Sequence, residues 1–199
     1  MVLISMKRAL ISVSDKKDIV YFAKNLEKLG FIIISTGGTL ETLQKGGVRS
    51  VKHVSEITKF PEILEGRVKT EHPKLIGGIL ALKDKKEHIN DLDRFQIDPI
   101  DLVVCNLYPF EEVTKEGADM KTALENIDIG GPNMIRAAAK NFENVVVIVN
   151  PSRYSQVLRE YINYGDISME TRKMLAVEAF KETARYNEAI YRFLEKTRS

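Results

Sequence analysis

The feature that most constrains the fold is a set of short, continuously apolar segments separated by segments with helical periodicity. The clearest of these apolar runs are residues 7–13, 31–34, 102–106 and 145–149. A strand is apolar along its whole length when helices cover both faces of a parallel sheet. Residues 48–54 are also compatible with an edge strand, and residues 77–82 with another strand. We therefore predict an α/β domain with a mostly parallel sheet of about five strands and helices on both faces.

The intervening helices are predicted from capping residues and apolar periodicity. Ser14 or Asp15 is expected to cap a helix that runs to about Leu29, with Gly30 as its left-handed C-terminal residue. Further helices are predicted up to about Lys45, over residues 83–95 and 119–125, from Pro132 to about Asn141, and after Asn150.

The composition bounds the class of protein. A chain of 199 residues, 44% hydrophobic and 29% charged, suits one globular domain, with a core of residues 1–165 and a helical C-terminal part, 166–199. A formal net charge of +2 gives no indication of a nucleic-acid partner. The chain shows no membrane-spanning segment, no signal peptide and no metal-ligand spacing. We expect a cytoplasmic protein that needs no metal or cofactor.

Polar residues follow several of the predicted strands directly. They are Ser14, Asp15 and Lys16 after the first strand, S-T-G-G-T (35–39) after the second, and Asn106 and Tyr108 after a later one. Because the carboxyl ends of parallel strands meet at one sheet edge, we predict a small-molecule site there. Taken alone, Tyr108 is equally compatible with a ring that packs against its neighbours.

The S-T-G-G-T segment exposes backbone N–H groups at a predicted helix N-terminus, an arrangement that attracts anions. It is neither a Walker A nor a G-x-G-x-x-G sequence. The segment is compatible with two interpretations. It is either a phosphate cradle or a glycine-rich turn with a threonine cap.

A second glycine pair, Gly130 and Gly131, lets the backbone turn tightly and approach a ligand. Asp128 lies in the loop ahead of the following helix, and Lys140 projects from the polar face of that helix. A capping loop with a solvated lysine is the alternative to a catalytic role.

The segment 55–75 is irregular, because two prolines and a glycine interrupt it. A long irregular segment inside a compact domain usually has a function or is disordered. Arg67 and Lys69 flank Val68, so in an extended segment both point the same way and suit a phosphate or a polarised carbonyl. Two surface cations on a mobile loop are the alternative.

Five longer motifs carry a resemblance to a known family. They are A-L-I-S-V-S-D-K (9–16), S-T-G-G-T (35–39), F-P-E-I-L-E-G-R-V-K-T-E-H-P-K (60–74), C-N-L-Y-P-F (105–110) and E-N-I-D-I-G-G-P-N-M-I-R-A-A-A-K-N (125–141). Together they resemble IMP cyclohydrolase, the amino-terminal domain of the bifunctional purine-biosynthesis enzyme that also contains AICAR transformylase. The resemblance extends to about Tyr154. It implies a methylglyoxal-synthase-like fold and ring closure of 5-formamido-imidazole-4-carboxamide ribonucleotide (FAICAR) to IMP with loss of water.

The resemblance also implies roles for individual residues. The family's catalytic residues fall on Lys69, Tyr108, Asp128 and Lys140. Its nucleotide-binding positions fall on Ser14, Asp15, Lys16, Thr36, Gly37, Gly38, Thr39, Arg67, Thr70, Cys105, Asn106 and Ile129, and we add Gly130 and Gly131. The family usually has Thr at the position of Lys17 and an apolar residue at that of Glu71, which could change the charge near Lys69.

The implied chemistry suits these residues without a metal or redox group. We hypothesise that Lys140 moves protons at the reacting carboxamide, with Asp128 orienting or accepting. Lys69 and Tyr108 would stabilise the formyl oxygen and the departing hydroxide. Lys16 and the S-T-G-G-T loop would hold the 5′-phosphate. Which lysine performs which role stays open at this point.

The resemblance leaves the assembly open. The transformylase domain is missing from the 199 residues, so we expect either a stand-alone cyclohydrolase or an excised domain. A purine ribonucleotide (FAICAR or IMP) is the expected ligand. A homodimer and a separate AICAR transformylase are candidate partners, whereas no nucleic-acid or membrane partner is expected. The helical C-terminal part is compatible with a dimer contact or with a lid.

Two functions of other classes compete with this reading. A phosphometabolite-sensing regulatory module of the same fold, like the allosteric domain of carbamoyl-phosphate synthetase, needs the S-T-G-G-T cradle but not Asp128 with Lys140. Methylglyoxal synthase, a lyase, needs a catalytic Asp/His set that we do not find.

Overall fold

A computed structural model describes residues 6–115 and 117–196. Residues 1–5, 116 and 197–199, which include both ends of the predicted domain, lie outside the described residues. Within the described ranges, five strands form one parallel sheet in the order β3-β2-β1-β4-β5. They are β1 (Arg8–Val13), β2 (Ile32–Ser35), β3 (Val51–His53), β4 (Leu102–Asn106) and β5 (Val146–Ile148). The predicted parallel α/β architecture is confirmed.

Ten α-helices are found among the described residues. They are α1 (Ile19–Lys28), α2 (Gly37–Lys45), α3 (Val54–Thr58), α4 (Pro73–Leu80), α5 (Lys86–Phe95), α6 (Phe110–Lys115), α7 (Met120–Glu125), α8 (Gly130–Lys140), α9 (Tyr154–Tyr164) and α10 (Met169–Lys196). Short 3-10 turns occur at Leu64–Gly66 and Pro151–Arg153. Helix α6 was not predicted, because its six residues are too few to show helical periodicity.

Helices cover both faces of the sheet, which explains the apolar strands. Three consecutive residues of β1, Ala9, Leu10 and Ile11, are at most 1% exposed although neighbouring side chains point to opposite faces. Helix α1 packs with α2 and α9, whereas α8 packs with α4 and α10. Right-handed crossovers place these two groups on opposite sides.

The strand order reverses at the centre of the sheet. Strand β1 pairs with β2 on one side and with β4 on the other, and the chain proceeds outward in both directions. Loops that leave the carboxyl ends of β1 and β4 therefore diverge and leave a crevice, the usual ligand position in open α/β sheets.

The predicted strand at residues 77–82 is wrong, since most of this segment belongs to helix α4. His72 is the N-cap and accepts a hydrogen bond from the Lys74 N–H at 3.1 Å, and Pro73 occupies the first helical position. Proline suits that position because no intrahelical partner is needed for its nitrogen. Pro73 thus begins a regular element instead of interrupting one.

The predicted starts of two helices also need correction. Helix α1 begins at Ile19 after Asp18, which has left-handed backbone angles, so neither Ser14 nor Asp15 caps it. Helix α8 begins at Gly130, so Pro132 lies at its third position and not at its first. Gly30 does follow α1 with a positive φ of 83°, as predicted.

Helix α10 is the predicted long C-terminal helix. Its 28 residues span about 42 Å, and it packs against α8, β5 and α6. Leu175, Ala179 and Tyr186 are buried on the face that meets the rest of the molecule. Over the described part of the chain, α10 included, no helix has both the length and the apolar character needed to traverse a bilayer.

Candidate functional site

The candidate site is a cleft at the carboxyl ends of β1, β2 and β4. It has a larger compartment of about 710 Å³ and a smaller one of about 190 Å³. Both compartments are lined by Ser12, Lys69 and Asp128, so these residues lie where the two meet. The cleft lies beside the point at which the strand order reverses.

The smaller compartment collects the polar residues that follow the first two strands. Its lining includes Ser14, Lys16, Thr36, Gly37, Gly38, Thr39, Asn106 and Tyr108. The loops after β1, β2 and β4 therefore converge as predicted.

Asn106, the last residue of β4, joins two of these loops. Its side-chain oxygen accepts hydrogen bonds from the N–H groups of Ser14 and Asp15 at 2.6 and 2.8 Å. Its amide nitrogen donates to the Asp15 carbonyl at 3.2 Å. The side-chain hydrogen bonds of Asn106 therefore hold the wall of the cleft in shape. Asp15 itself faces an adjoining cleft of about 570 Å³ that also touches Asn106 and Tyr108.

Lys16 supplies a cation to the smaller compartment. Its ammonium group donates to the carbonyl oxygens of Val13 and Ser14 at the end of β1. Burial lowers the pKa of the Lys16 ammonium, and the nearby charge of Asp15 partly offsets this effect. An anion in this compartment would restore the favourable environment that the ammonium group loses on burial.

The S-T-G-G-T loop forms the N-terminus of α2. Gly37 has a positive φ of 52°, and both Gly37 and Gly38 face open space. Thr36 is the N-cap residue, yet its hydroxyl donates to Glu62 and makes no capping bond. The N–H groups of the first helical turn are therefore not satisfied by a threonine cap, which favours the cradle over the simple turn.

Thr39 belongs to the framework of this loop. Its hydroxyl accepts from the Val13 N–H at 3.1 Å and donates to the Val13 carbonyl at 3.0 Å, and the residue is buried. These two bonds fix α2 against the end of β1.

Residues 59–72 form a strap across the cleft that is tied down at several points. Glu62 accepts from Thr36 and lies 3.2 Å from His53. Arg67 forms an ion pair with Glu125 at the end of α7. These contacts hold the part of the strap that precedes Lys69, and Lys69 lines both compartments.

Glu71 closes the strap against α8. Its carboxylate accepts from the N–H groups of Lys69 and Thr70, each at 3.1 Å, and from the Thr70 hydroxyl at 3.2 Å. A Cβ at Gly130 would lie 2.4 Å from both the Glu71 carboxylate and the Thr70 hydroxyl. The glycine therefore matters here for close packing, since its φ is not positive, and a larger residue would force the Glu71 and Thr70 side chains to shift.

Asp128 is held at both its backbone and its side chain. Its carboxylate Oδ1 accepts from the Gly131 N–H at 3.0 Å, at the N-terminus of α8. Its own N–H donates to the Tyr186 hydroxyl at 2.7 Å. A Cβ at Gly131 would lie 2.2 Å from Oδ2. The carboxylate thus lies at the positive end of a helix dipole.

Cys105 lies beneath this site and does not line it. The thiol is buried and contacts the Gly131 carbonyl at 3.9 Å. Burial raises the pKa of the Cys105 thiol strongly, and the charge of Asp128 raises it further. The residue therefore acts as a small apolar packing group and not as a nucleophile.

The remaining predicted residues lie at the rim or away from the cleft. Tyr108 is 49% exposed and Ile129 is 65% exposed, and each lines one of the compartments. Lys140 is exposed in the last turn of α8, whereas Asp128 precedes the first turn. From Gly130 to Lys140 the helix rises about 15 Å.

The structure therefore does not bring Lys140 to the cleft of the same chain. The next residue, Asn141, donates to the carbonyls of Ile79 and Ala81, at the opposite end of the sheet. A lysine side chain does not bridge the length of α8. This separation removes the geometric basis for the hypothesis that Lys140 moves a proton beside Asp128.

Two important residues were missed because their contacts are distant in sequence. Tyr186 reaches Asp128 across 58 residues, and Glu62 reaches Thr36 across 26. No local spacing signals such pairs. Across residues 6–115 and 117–196, no group of three or more His, Cys, Asp or Glu side chains is placed to hold a metal ion.

Two family models match consecutive parts of the chain. The model described as MGS-like domain matches residues 18–133, and the model described as AICARFT/IMPCHase bienzyme matches residues 138–199. Among solved structures, the crystal structure of ForH is similar, with a TM-score of 0.84 and 32% sequence identity. This similarity covers 96% of this chain and 99% of that chain.

Curated relatives share about half of their aligned residues with this chain. The bifunctional purine biosynthesis protein PurH of Thermoanaerobacter sp. (strain X514) is 55% identical over 94% of this chain and 37% of its own length. PurH of Persephonella marina is 53% identical over 92% of this chain and 36% of its own length. PurH of Bacillus subtilis (strain 168) is 50% identical over 96% of this chain and 37% of its own length. The chain thus spans little more than a third of the length of these relatives.

Proposed function

Because the chain belongs to the MGS-like domain family and continues into the AICARFT/IMPCHase bienzyme family, we propose that it is an IMP cyclohydrolase. The observation that carries this proposal is the meeting of Lys69 and Asp128 at the junction of the two compartments. A cation and a carboxylate there face the same reacting atoms. The relatives' names support purine biosynthesis as the setting.

The two compartments suit the two ends of FAICAR. The smaller compartment takes the 5′-phosphate, with the N-terminus of α2, Gly38 and Lys16 around it. The larger compartment takes the imidazole with its formamide and carboxamide groups. The substrate thereby places both reacting groups beside Lys69 and Asp128, which makes the ring closure a well-oriented intramolecular step.

The reaction forms one C–N bond and releases one water. The carboxamide nitrogen attacks the formyl carbon, and the electron pair of the formyl C=O moves to oxygen. The carboxamide nitrogen and the formamide nitrogen each give up one proton, and both protons leave with the formyl oxygen as water. The chain must therefore accept a proton and stabilise a developing oxyanion.

Asp128 is the proton acceptor in this proposal, and Lys69 stabilises the oxyanion. Of the two compartments, Tyr108 lines only the one that takes the phosphate, and it is not assigned to the oxyanion. The N-terminus of α8 adds partial positive charge near the same point. Lys140 is not assigned to the reacting atoms, because it lies at the far end of α8.

The source of FAICAR follows from its chemistry. Its formyl group is added by a transformylase, and the relatives that match this chain are named bifunctional. We propose that an AICAR transformylase, on the same polypeptide or on a separate one, supplies the substrate. A homodimer and a cytoplasmic location accompany this proposal as expectations.

The test is IMP formation from FAICAR by the purified chain, followed by absorbance with and without a chelator. We expect turnover that the chelator does not affect. Lys69→Met should lower kcat about 100- to 1,000-fold through loss of an oxyanion donor. Asp128→Asn should lower kcat about 100- to 10,000-fold through loss of the proton acceptor.

Lys45→Met and Asp91→Asn are the matched controls, since both residues are exposed on helices away from the cleft. Both controls should keep the wild-type rate. Tight binding of IMP without any turnover by the wild-type chain would instead indicate a regulatory module and would contradict the proposal.

A further inference from the structure

A tyrosine of the C-terminal helix contacts the loop that carries Asp128. Tyr186 on α10 is 6% exposed, and its hydroxyl accepts a hydrogen bond from the Asp128 N–H at 2.7 Å. The same hydroxyl donates to the Asn126 carbonyl at 3.5 Å. Burial raises the pKa of this hydroxyl still further above neutral pH. One side chain thus holds the loop that precedes α8 at two points.

The position of this hydroxyl is set by the core and not by solvent. The Tyr186 ring meets the Phe110 ring edge to face, with centroids 6.4 Å apart and an interplanar angle of 74°. Phe110 is itself 1% exposed. Thr183 and Ala179, on the same face of α10, are also fully buried. A ring packed in this way has little freedom, and the hydroxyl therefore forms a fixed anchor for the loop.

The anchor acts on the backbone of Asp128. The carboxylate is oriented by the Gly131 N–H, at 3.0 Å, and the backbone of the same residue by Tyr186. Tyr186 lines neither compartment of the cleft. Without the Tyr186 hydroxyl, the partly buried Asp128 N–H would lose its hydrogen-bond partner. The loop would then shift so that this N–H could bond to water.

We propose that Tyr186 is a positioning residue that holds Asp128 in its reactive place. This inference rests on the proposed cyclohydrolase function. It also assigns a role to α10, which reaches the site by supporting the wall behind Asp128 and not by covering the cleft as a lid.

The test compares Tyr186→Phe with Tyr191→Phe in steady-state kinetics on FAICAR. Tyr186→Phe keeps the ring and removes the anchor, and we expect kcat to fall about 10- to 100-fold, as small misplacements of reacting groups do. KM should change less than about twofold, because phosphate and imidazole contacts remain. Tyr191, which is 50% exposed on the same helix, loses an equivalent hydroxyl and should keep the wild-type kcat.

A double-mutant cycle separates positioning from a general effect on the fold. In an Asp128→Asn background, Tyr186→Phe should cause little further loss of kcat, because the group that it positions is already disabled. A loss of kcat that persists in full in that background would overturn the inference. So would a Tyr186→Phe variant with the kcat of the wild type.

Amide exchange at Asp128 provides a readout that does not depend on activity. The Asp128 N–H should exchange roughly 3- to 10-fold faster in Tyr186→Phe than in wild type or Tyr191→Phe, as expected for loss of one hydrogen bond. Unchanged exchange would overturn the inference. A wild-type chain that forms no IMP would refute the proposed function, and the exchange data would then decide separately whether Tyr186 anchors the loop.

Discussion

Two glycines at the start of α8 show how single residues shape the site. Gly131 leaves the space that the Asp128 carboxylate occupies, and Gly130 leaves the space for Glu71 and Thr70. Neither has a positive φ, so the absent Cβ matters here for close approach and not for backbone freedom. The Asp128 carboxylate can lie against the helix N-terminus only because no side chain stands there.

Gly131→Ala should therefore reduce both stability and turnover. The new methyl group meets Asp128 Oδ2 at 2.2 Å and Leu107 at 2.8 Å, so the free energy of unfolding should fall by about 1–3 kcal/mol, as for overpacking. Urea unfolding measures this change, and kcat should fall with it because Asp128 is displaced.

Gly38→Ala is the matched stability control for that variant. It lies in the first turn of α2 with open space around it and no positive φ. Alanine there should leave stability unchanged or raise it by about 0.5–1 kcal/mol through helix propensity. Equal losses in the two variants would contradict the packing argument.

At the scale of elements, the junction of α9 and α10 is held by one carboxylate. Glu160 on α9 accepts from the Ser168 N–H at 2.9 Å and from the Thr171 hydroxyl at 2.7 Å. Burial acts to raise the pKa of Glu160, but the hydrogen bonds from Thr171 and Ser168 outweigh it, and the net shift is downward. The start of α10 is thereby tied to the helix before it.

This junction should make stability depend on pH in the acid range. A carboxylate whose pKa is lowered on folding stabilises the native state above its unfolded pKa, near 4.3. That contribution is lost as the pH falls through the lower, folded pKa. Glu160→Gln should be less stable than wild type at neutral pH and should lose less stability between about pH 5 and about pH 3.

Urea unfolding at several pH values checks this expectation. Glu170→Gln is the control, since Glu170 is an exposed residue of the first turn of α10 for which the structure gives no comparable pair of hydrogen bonds. Parallel pH curves for wild type and Glu160→Gln would refute the role of Glu160 as the titrating group.

At the scale of the whole molecule, α10 and the sheet share one core. Leu175 is 1% exposed and Ala179 is fully buried, in a cluster that continues through α8 to β4 and β5. The helix that carries Tyr186 is therefore part of the same cooperative unit as the cleft. A substitution that weakens the packing under α10 should therefore lower the stability of the whole domain.

Leu175→Ala tests this continuity. It should lower the free energy of unfolding by about 2–5 kcal/mol, as for other buried leucines, in a single transition seen equally by circular dichroism and by loss of activity. Val177→Ala, at a position that is 47% exposed, should change stability little. Separate transitions for α10 and the sheet would contradict a shared core.

Local sequence patterns were enough to predict the architecture and most of the residues around the cleft. Continuous apolar runs such as 102–106 and 145–149 can be buried on both faces only in a covered parallel sheet, so fold class followed from local pattern. Polar residues directly after strands, among them Lys16 and Asn106, followed from the shared edge of parallel strands. The misplaced strand at 77–82 shows the limit, because a short apolar run looks the same in a helix and in a strand.

Which of these residues share the cleft depends on tertiary packing. The packing put Lys69 and Asp128 on the lining of the same two compartments, left Lys140 about 15 Å away along α8, and turned Cys105 inward. It also brought Tyr186 to Asp128 across 58 residues of sequence. Local propensity acts over a few residues, whereas these contacts depend on how α8, α10 and the strap pack together. The physical reason is that contacts between distant segments form only when the whole core closes and fixes their relative positions.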